Sequence, residues 1–332
     1  MPDPLLLGIE IGGTKLQLGL GHGDGKLLAL RRLDIDPTHE AAGILAQIDS
    51  AVGPLVDDFG APRAALRAAG IGFGGPVDAE NGVATKSHQV AGWDGFPLAS
   101  WAREHLGVPV VSIHNDADTA ALGEARFGAG IGMSPVLYMT IGSGIGGGLI
   151  LDGKIYRGSG AGATEIGHLI INPNQAPSGL WTLEDIASGW GIGRQGKMFV
   201  EVLNQQEQSS ELVLIAGRDP SRITAAHVAR AAAHGDHYAQ MILGQATDAM
   251  GRGLAHAVTL LAPRRIILGG GVSLIGEELW FAPIRRELDR LVFPPFRGTY
   301  DVVPAALGEV VVVHGALALA RDAWEADPPR IR

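Results

Sequence analysis

Tyr138-Met139-Thr140-Ile141-Gly142-Ser143-Gly144-Ile145-Gly146-Gly147-Gly148 begins as an apolar strand, breaks into a glycine-rich turn carrying Thr140 and Ser143, and resumes as Leu149-Ile150-Leu151. Glycine accepts φ > 0 and lets backbone N–H groups come close to a ligand. Successive N–H groups in such a turn form an anion cradle. A plain β-hairpin with a flexible tip would read the same, so the stretch alone does not choose between them. A second copy does. Leu5 to Glu10 reads as a strand, Ile11-Gly12-Gly13-Thr14 as a turn and Lys15 to Leu20 as the returning strand. Gly21 to Gly25 turns again, and Lys26 to Leu33 makes a third strand. The later copy continues likewise, through the Asp152-Gly153 turn to Lys154 to Tyr156. An internal repeat settles fold class before any single motif does. Two glycine-and-hydroxyl turns facing one another across a cleft are expected to clamp a polyphosphate from both sides.

The bulk composition agrees with a two-domain α/β protein. A chain of 332 residues is long for one core. Its 49 glycines are about twice the usual share of about 7%, and they cluster in turns rather than in a period. A net charge of −9 without basic runs argues against nucleic-acid binding. It leaves room for an anionic ligand, because local backbone dipoles hold phosphate even on an acidic protein. The absence of cysteine removes disulfides, thiolate catalysis and any cysteine-ligated zinc site. Met1-Pro2-Asp3-Pro4 has no basic signal-peptide region, and His256, Pro263, Arg264 and Arg265 interrupt the most apolar later stretch. The expectation is a cytoplasmic protein with no membrane partner.

Apolar spacing predicts a helix over His39 to Phe59, with Ile44, Ile48, Val52, Leu55, Val56 and Phe59 at helical positions. Leu66 to Phe73 reads as a strand stopped by Gly74-Gly75-Pro76, and Asn81-Gly82 as a hairpin turn. Lys86 to Phe96 has no clean period and reads as an ordered loop. A helix over Pro97 to Leu106, a strand over Val108 to Ile113 and a helix over Ala117 to Phe127 follow. Further helices are expected at Thr182 to Ala187, Gly191 to Gln206, Thr224 to His234 and His237 to Leu261. Arg265 to Leu268 reads as a strand and Glu277 to Val292 as a helix. Val310 to Val313 reads as a last strand, and His314 to Ala326 as a closing helix.

Several polar positions carry both a chemical and a plain reading. Glu10, at a strand end beside Gly12-Gly13-Thr14-Lys15, suits hydrated Mg²⁺, with Thr14 and backbone amides on phosphate oxygens; otherwise it is a strand-end charge facing water. Asn115-Asp116 precedes a helix, where both residue types are preferred N-caps. One suffices as a cap and leaves the other free, and a carboxylate within reach of a hydroxyl can accept its proton during phosphoryl transfer. Glu165 and His168 flank Gly167 and suit neighbouring sugar hydroxyls, although a lone histidine is more often structural. Glu184 is a third candidate, in a helix first turn that favours acids anyway. Gly269-Gly270-Gly271 between a strand and a helix suits a ribose or base sliding past backbone, as any tight turn there would.

Taken together these stretches resemble the ROK family of sugar kinases and related proteins. The matching runs are Gly8 to Lys15, Gly72 to Asp78, Asn115 to Glu124, Thr140 to Gly148, Glu165 to His168 and Ile267 to Ser273, in the family's order and across nearly the whole chain. The resemblance implies α/β architecture of two actin-like (ribonuclease H-like) domains with a cleft between them. Residues 1–114 would form the first, closed by the helix near 314–326, and residues 115–313 the second. It implies Asp116 as the catalytic base, and Gly75, Asn115, Asp116, Glu165, His168 and Glu184 around a hexose. Gly12, Gly13, Thr14 and Lys15 with Thr140, Gly142, Ser143 and Gly144 would hold the ATP phosphates, and Gly269, Gly270 and Gly271 the adenosine side. A homodimer is implied as well.

Two departures stand out. The family usually has Asp where this chain has Glu10. Many members also place a cysteine cluster after Glu-Ile-Gly-His that binds zinc with that histidine, whereas Ile171 to Thr182 has no thiol. No zinc site is expected, and His168 would be held by other hydrogen bonds. The expected activity is ATP- and Mg²⁺-dependent phosphorylation of a hexose 6-hydroxyl, glucose foremost. The alternatives are a kinase for fructose, mannose, allose or an N-acetylhexosamine, or a non-catalytic sugar-binding member. Regulators of the family carry a helix-turn-helix ahead of the first motif, which only Met1 to Leu7 precede here.

Overall fold

A computed structural model describes residues 3–87, 89–159, 162–172 and 181–326. The chain opens with β1 (Leu5–Ile11), β2 (Lys15–Gly21), β3 (Leu27–Asp34), α1 (Glu40–Asp58), β4 (Leu66–Phe73), β5 (Val77–Asp78), β6 (Val83–Ala84), α2 (Leu98–Leu106), β7 (Val110–Asn115) and α3 (Asp116–Phe127). It continues with β8 (Val136–Ile141), β9 (Ile145–Leu151), β10 (Lys154–Ile155), β11 (Ile170–Asn172), β12 (Trp181–Thr182), α4 (Leu183–Ala187), α5 (Gly189–Gln205), α6 (Glu211–Ala216), α7 (Ala225–Ala233) and α8 (His237–Leu261). It closes with β13 (Arg265–Gly269), α9 (Ala282–Leu291), β14 (Asp301–Pro304) and α10 (Val311–Ala326).

The internal repeat survives as topology. One five-stranded sheet runs β3-β2-β1-β4-β7 and the other β10-β9-β8-β13-β14, so each places its strands in the order third, second, first, fourth, fifth. In the first, β1 pairs antiparallel with β2 and parallel with β4; in the second, β13 lies parallel to both β8 and β14. Central β1 is buried along its whole length and reads as a run that is apolar except at Glu10. Edge strand β3 alternates half-buried and exposed residues, as a sheet with one wet face requires.

Compactness divides the chain into Met1–Gly132 with Gly148–Ala163 and Ala306–Arg332, and Met133–Gly147 with Thr164–Ala305. The family resemblance implies a boundary at 114/115. In the structure α3 falls in the first unit, because Gly315 of α10 lies so close that a Cβ there would stand 1.8 Å from the Thr119 carbonyl oxygen.

The expected strand over Val310 to Val313 is a helix: α10 starts at Val311, after a single tight turn over Gly308–Val310. The β-preference of four valines loses to packing. Val312 and Val313 are buried against the sheet, and a Cβ on Gly70 of β4 would stand 1.8 Å from the Ala316 carbonyl oxygen. Only a helix lying on side-chain-free backbone fits that distance. The last strand is instead β14, which escapes a periodicity reading because it has four residues and ends in Pro304. Proline is tolerated at that edge position. Arg265 fixes the register with two bonds to Asp301 at 2.8 and 2.6 Å. The short α6 also has no counterpart in the sequence reading, and the helix expected over Glu277 to Val292 begins with a widened turn before α9. No described helix is long and apolar enough to cross a membrane.

Candidate functional site

In the first unit, register builds the site. Ile11 of β1 pairs with Phe73 of β4, and Phe73 with Asn115 of β7, so three strand ends stand in one row. The Gly12 turn, Gly74-Gly75 and Asn115-Asp116 therefore emerge side by side, where parallel sheets place ligands. Gly74 donates its N–H to the Ile11 carbonyl at 2.8 Å. A Cβ on Gly74 would lie 3.5 Å from Gly12 Cα and 3.6 Å from Asp116 Oδ2.

Asn115 takes the plain role of the pair. Its side-chain oxygen accepts the Ala117 N–H at 2.8 Å and caps α3, while Nδ2 donates to the Gly75 carbonyl at 3.1 Å. Asp116, the first residue of the helix, takes the Ala117 N–H on Oδ1 at 2.8 Å. Asn115 thus ties Gly75 to the helix start, and Asp116 presents Oδ2 toward Gly74.

Glu10 is 8% exposed, not a charge facing water. Its cross-strand partner Gln17 donates to Oε2 at 2.5 Å, and Lys15 Nζ lies 3.3 Å from Oε1. Burial pushes the carboxyl above its ordinary value, with Lys15 and Gln17 pulling the other way. A carboxylate offers about four lone-pair directions, and these two contacts occupy two. The remaining lone-pair directions of this hard oxygen donor suit a hydrated Mg²⁺. Gly12 donates its N–H to the Lys15 carbonyl at 3.0 Å, closing the turn and leaving Gly13 and exposed Thr14 at its tip. The Gln89 side chain covers Gly13 so closely that a Cβ there would stand 1.4 Å from its oxygen. Gln89 and Gln17 carried no motif, and only the fold brings them here. His88 of the same loop lies outside the described residues.

In the second unit Thr140 pairs with Gly269, so the turns after β8 and β13 emerge together. Gly142 donates its N–H to the Gly144 carbonyl at 2.9 Å. Gly270 has φ +83, and a Cβ there would be 2.5 Å from the Ile141 carbonyl oxygen, so glycine is required. A cavity of ≈ 390 Å³ opens beside these turns, lined by Gly142, Ser143, Gly189, Trp190, Gly271 and Ile275 with Thr224 to Ala226. Trp190 is 64% exposed at this cavity. Its exposure and the role of the α7 start were invisible in the sequence.

Glu184 stands against the glycine turn: Oε2 accepts the Ile145 N–H at 2.7 Å. Glu165 and His168 are exposed in the turn before β11. That turn is fastened to α4 by Leu183 N–H to the Leu169 carbonyl at 2.8 Å, and Gly167 packs onto the Ile145 carbonyl. Residues 173–180, where zinc-binding members carry cysteines, lie outside the described residues.

The model of the ROK family matches residues 6–323. The chain belongs to the ROK family. Among ROK relatives, a glucokinase of Thermotoga maritima is 33% identical over 325 residues, covering 97% of this chain and 99% of its own. A glucokinase of Streptomyces coelicolor is 34% identical, with coverage of 96% and 98%. A solved structure of a ROK family glucokinase from Streptomyces griseus, in complex with glucose and AMPPNP, is similar with a TM-score of 0.79 and 32% identity, covering 96% of this chain and 99% of that one. The fold of the ROK kinases, two actin-like α/β domains, is the fold of this chain.

Proposed function

We propose that the chain is an ATP-dependent hexose kinase, with glucose the favoured sugar and its 6-hydroxyl the acceptor. The observation that carries this is the strand-end row of the first unit, where a carboxylate at a helix start stands beside a phosphate-type glycine turn, in a chain related to glucokinases over nearly its full length. Asp116 orients the sugar hydroxyl and accepts its proton as the phosphoryl group transfers. Asn115 and Gly75 hold the sugar near that carboxylate, and Glu165, His168 and Glu184 take further hydroxyls. The amides of Gly13 and Thr14, Lys15, and the Thr140 to Gly144 turn carry the phosphates. The adenosine lies in the cavity beside Gly269 to Gly271, against Trp190.

Glu10, with Thr14, holds the hydrated Mg²⁺ that neutralises charge on the nucleotide phosphates. The expected assembly is a homodimer in the cytoplasm, where ATP is available, with no nucleic-acid partner and no zinc. A coupled assay over glucose, fructose, mannose, allose and N-acetylglucosamine, each with Mg²⁺ and either ATP or polyphosphate, tests the reading. Highest turnover with glucose and ATP is expected. Failure to phosphorylate any sugar with either donor would remove the kinase function.

A further inference from the structure

The α4–α5 junction is fastened to the second glycine turn at three points. Glu184 Oε2 accepts the Ile145 N–H at 2.7 Å. Gly189 donates its N–H to the Gly142 carbonyl at 2.8 Å, and Trp190 donates to the Ser143 carbonyl at 3.2 Å. The fit leaves no slack: a Cβ on Gly144 would stand 2.4 Å from Glu184 Oε2, and one on Gly189 would stand 2.8 Å from the Gly142 oxygen. Of the three fastenings only the Glu184 contact uses a charged side chain, and such bonds are about twice as strong as neutral ones. It acts on the amide that directly follows Gly144, and so helps set where the turn's own N–H groups point. Gly142, Ser143, Gly189 and Trp190 then form one wall of the ≈ 390 Å³ cavity.

A carboxylate has two oxygens, and here they divide. Oε2 is committed to Ile145, whereas the described residues place no hydrogen bond on Oε1. We propose that Glu184 is a positioning residue for the nucleotide as well as a sugar contact: one oxygen holds the phosphate turn in shape, and the other is left for a sugar hydroxyl. This rests on the kinase reading and adds to it a link between the two substrates. A sugar hydroxyl bound to Oε1 further holds the carboxylate on the turn, so sugar and nucleotide bind with positive coupling, and the coupling is reciprocal.

The test titrates AMPPNP, with Mg²⁺ and no sugar, into the full chain and into Glu184→Ala, Glu184→Gln and Gly144→Ala, with melting temperatures alongside. Losing a charge-assisted bond to the turn is expected to weaken AMPPNP about tenfold in Glu184→Ala. Gly144→Ala, which pushes the carboxylate off the turn, should weaken it similarly. Glu184→Gln keeps an oxygen that accepts the Ile145 N–H, so its AMPPNP affinity should stay within about threefold of wild type while glucose affinity falls. Adding glucose should tighten AMPPNP in the wild type and leave it unchanged in Glu184→Ala. If Glu184→Ala binds AMPPNP as tightly as wild type without sugar, the assignment is wrong. Equal losses in Glu184→Ala and Glu184→Gln, with melting lowered in both, also overturn it, since a general loss of structure then explains the data. A wild-type chain that binds no AMPPNP overturns the kinase reading itself.

Discussion

The turns at Gly12 to Lys15 and at Gly142 to Gly144 both close on a glycine amide and both stand over a glutamate, yet the two glutamates are held in different ways. Glu10 lies on a central strand, buried, and meets side chains: Gln17 across the β1–β2 ladder and Lys15 from the turn's own far end. Glu184 lies in the first turn of short α4 and grips backbone, the Ile145 N–H. In the first turn a charge is set beneath a loop whose own hydrogen bond, Gly12 to Lys15, holds its shape. In the second, the shape itself leans on the carboxylate and on the Gly189 and Trp190 amides. Similar sequences thus serve different ends, charge at one turn and shape at the other.

Asp116→Asn is the sharpest separation of chemistry from these turns. The amide oxygen keeps the bond to Ala117 N–H, so the start of α3 is expected to keep its shape. Turnover is expected to fall by about 10²- to 10⁴-fold, with glucose and AMPPNP affinities by calorimetry unchanged. Weaker AMPPNP would instead make Asp116 part of the phosphate cradle.

Acid should act on the first unit through His114 of β7. Burial pushes its imidazole down to about 4 from 6.5. The unfolded chain therefore holds more protons between those values. His114 contributes stability that is present above about pH 6.5 and is lost as pH falls through about 4, amounting to about 3 kcal/mol. Urea unfolding at pH 7 and pH 4.5 should show a smaller acid loss in His114→Gln than in wild type. An identical loss in both would acquit this residue.

Trp190→Ala probes the shape side of the comparison. Stacking on a base contributes about 1–3 kcal/mol, so AMPPNP should bind about tenfold more weakly, while an exposed ring leaves melting unchanged. Unaltered affinity would place the base elsewhere.

Glu10→Gln probes the charge side and should have the smallest effect. The Mg²⁺ concentration for half-maximal activity should rise a few-fold, as one charge on a hydrated cation is lost. Because burial raises the Glu10 carboxyl, its contribution is full below the ordinary value of 4.5 and is lost as pH rises through the folded value. Replacing it should therefore flatten that rise-linked loss, a trend opposite to that of His114. A Mg²⁺ dependence that does not move would leave the first turn without a metal role.

Most strands and helices were legible because burial imposes period. The seven-residue run of β1 and the stripe of α8 each meet one environment along their length. The valines at 310–313 misled for the same reason: continuous burial occurs in central strands and in helices wedged between layers alike. What separates them is the space left by Gly70 on β4 and Gly123 on α3, where a Cβ would stand 1.8 Å from the Ala316 carbonyl oxygen and 2.6 Å from that of Val311.

By itself the sequence determined the repeated α/β plan, the glycine turns at strand ends and the residue types for phosphoryl transfer, because these depend on local backbone freedom and apolar period. It also excluded thiolate zinc, since the chain has no cysteine. The tertiary structure decided which of Asn115 and Asp116 caps the helix, that Glu10 is buried under Lys15 and Gln17, and that Glu184 reaches the second glycine turn. Residues 39 positions apart, Ile145 and Glu184, share a hydrogen bond only after the chain has folded. Distances across a fold are set by packing, and no local pattern records them.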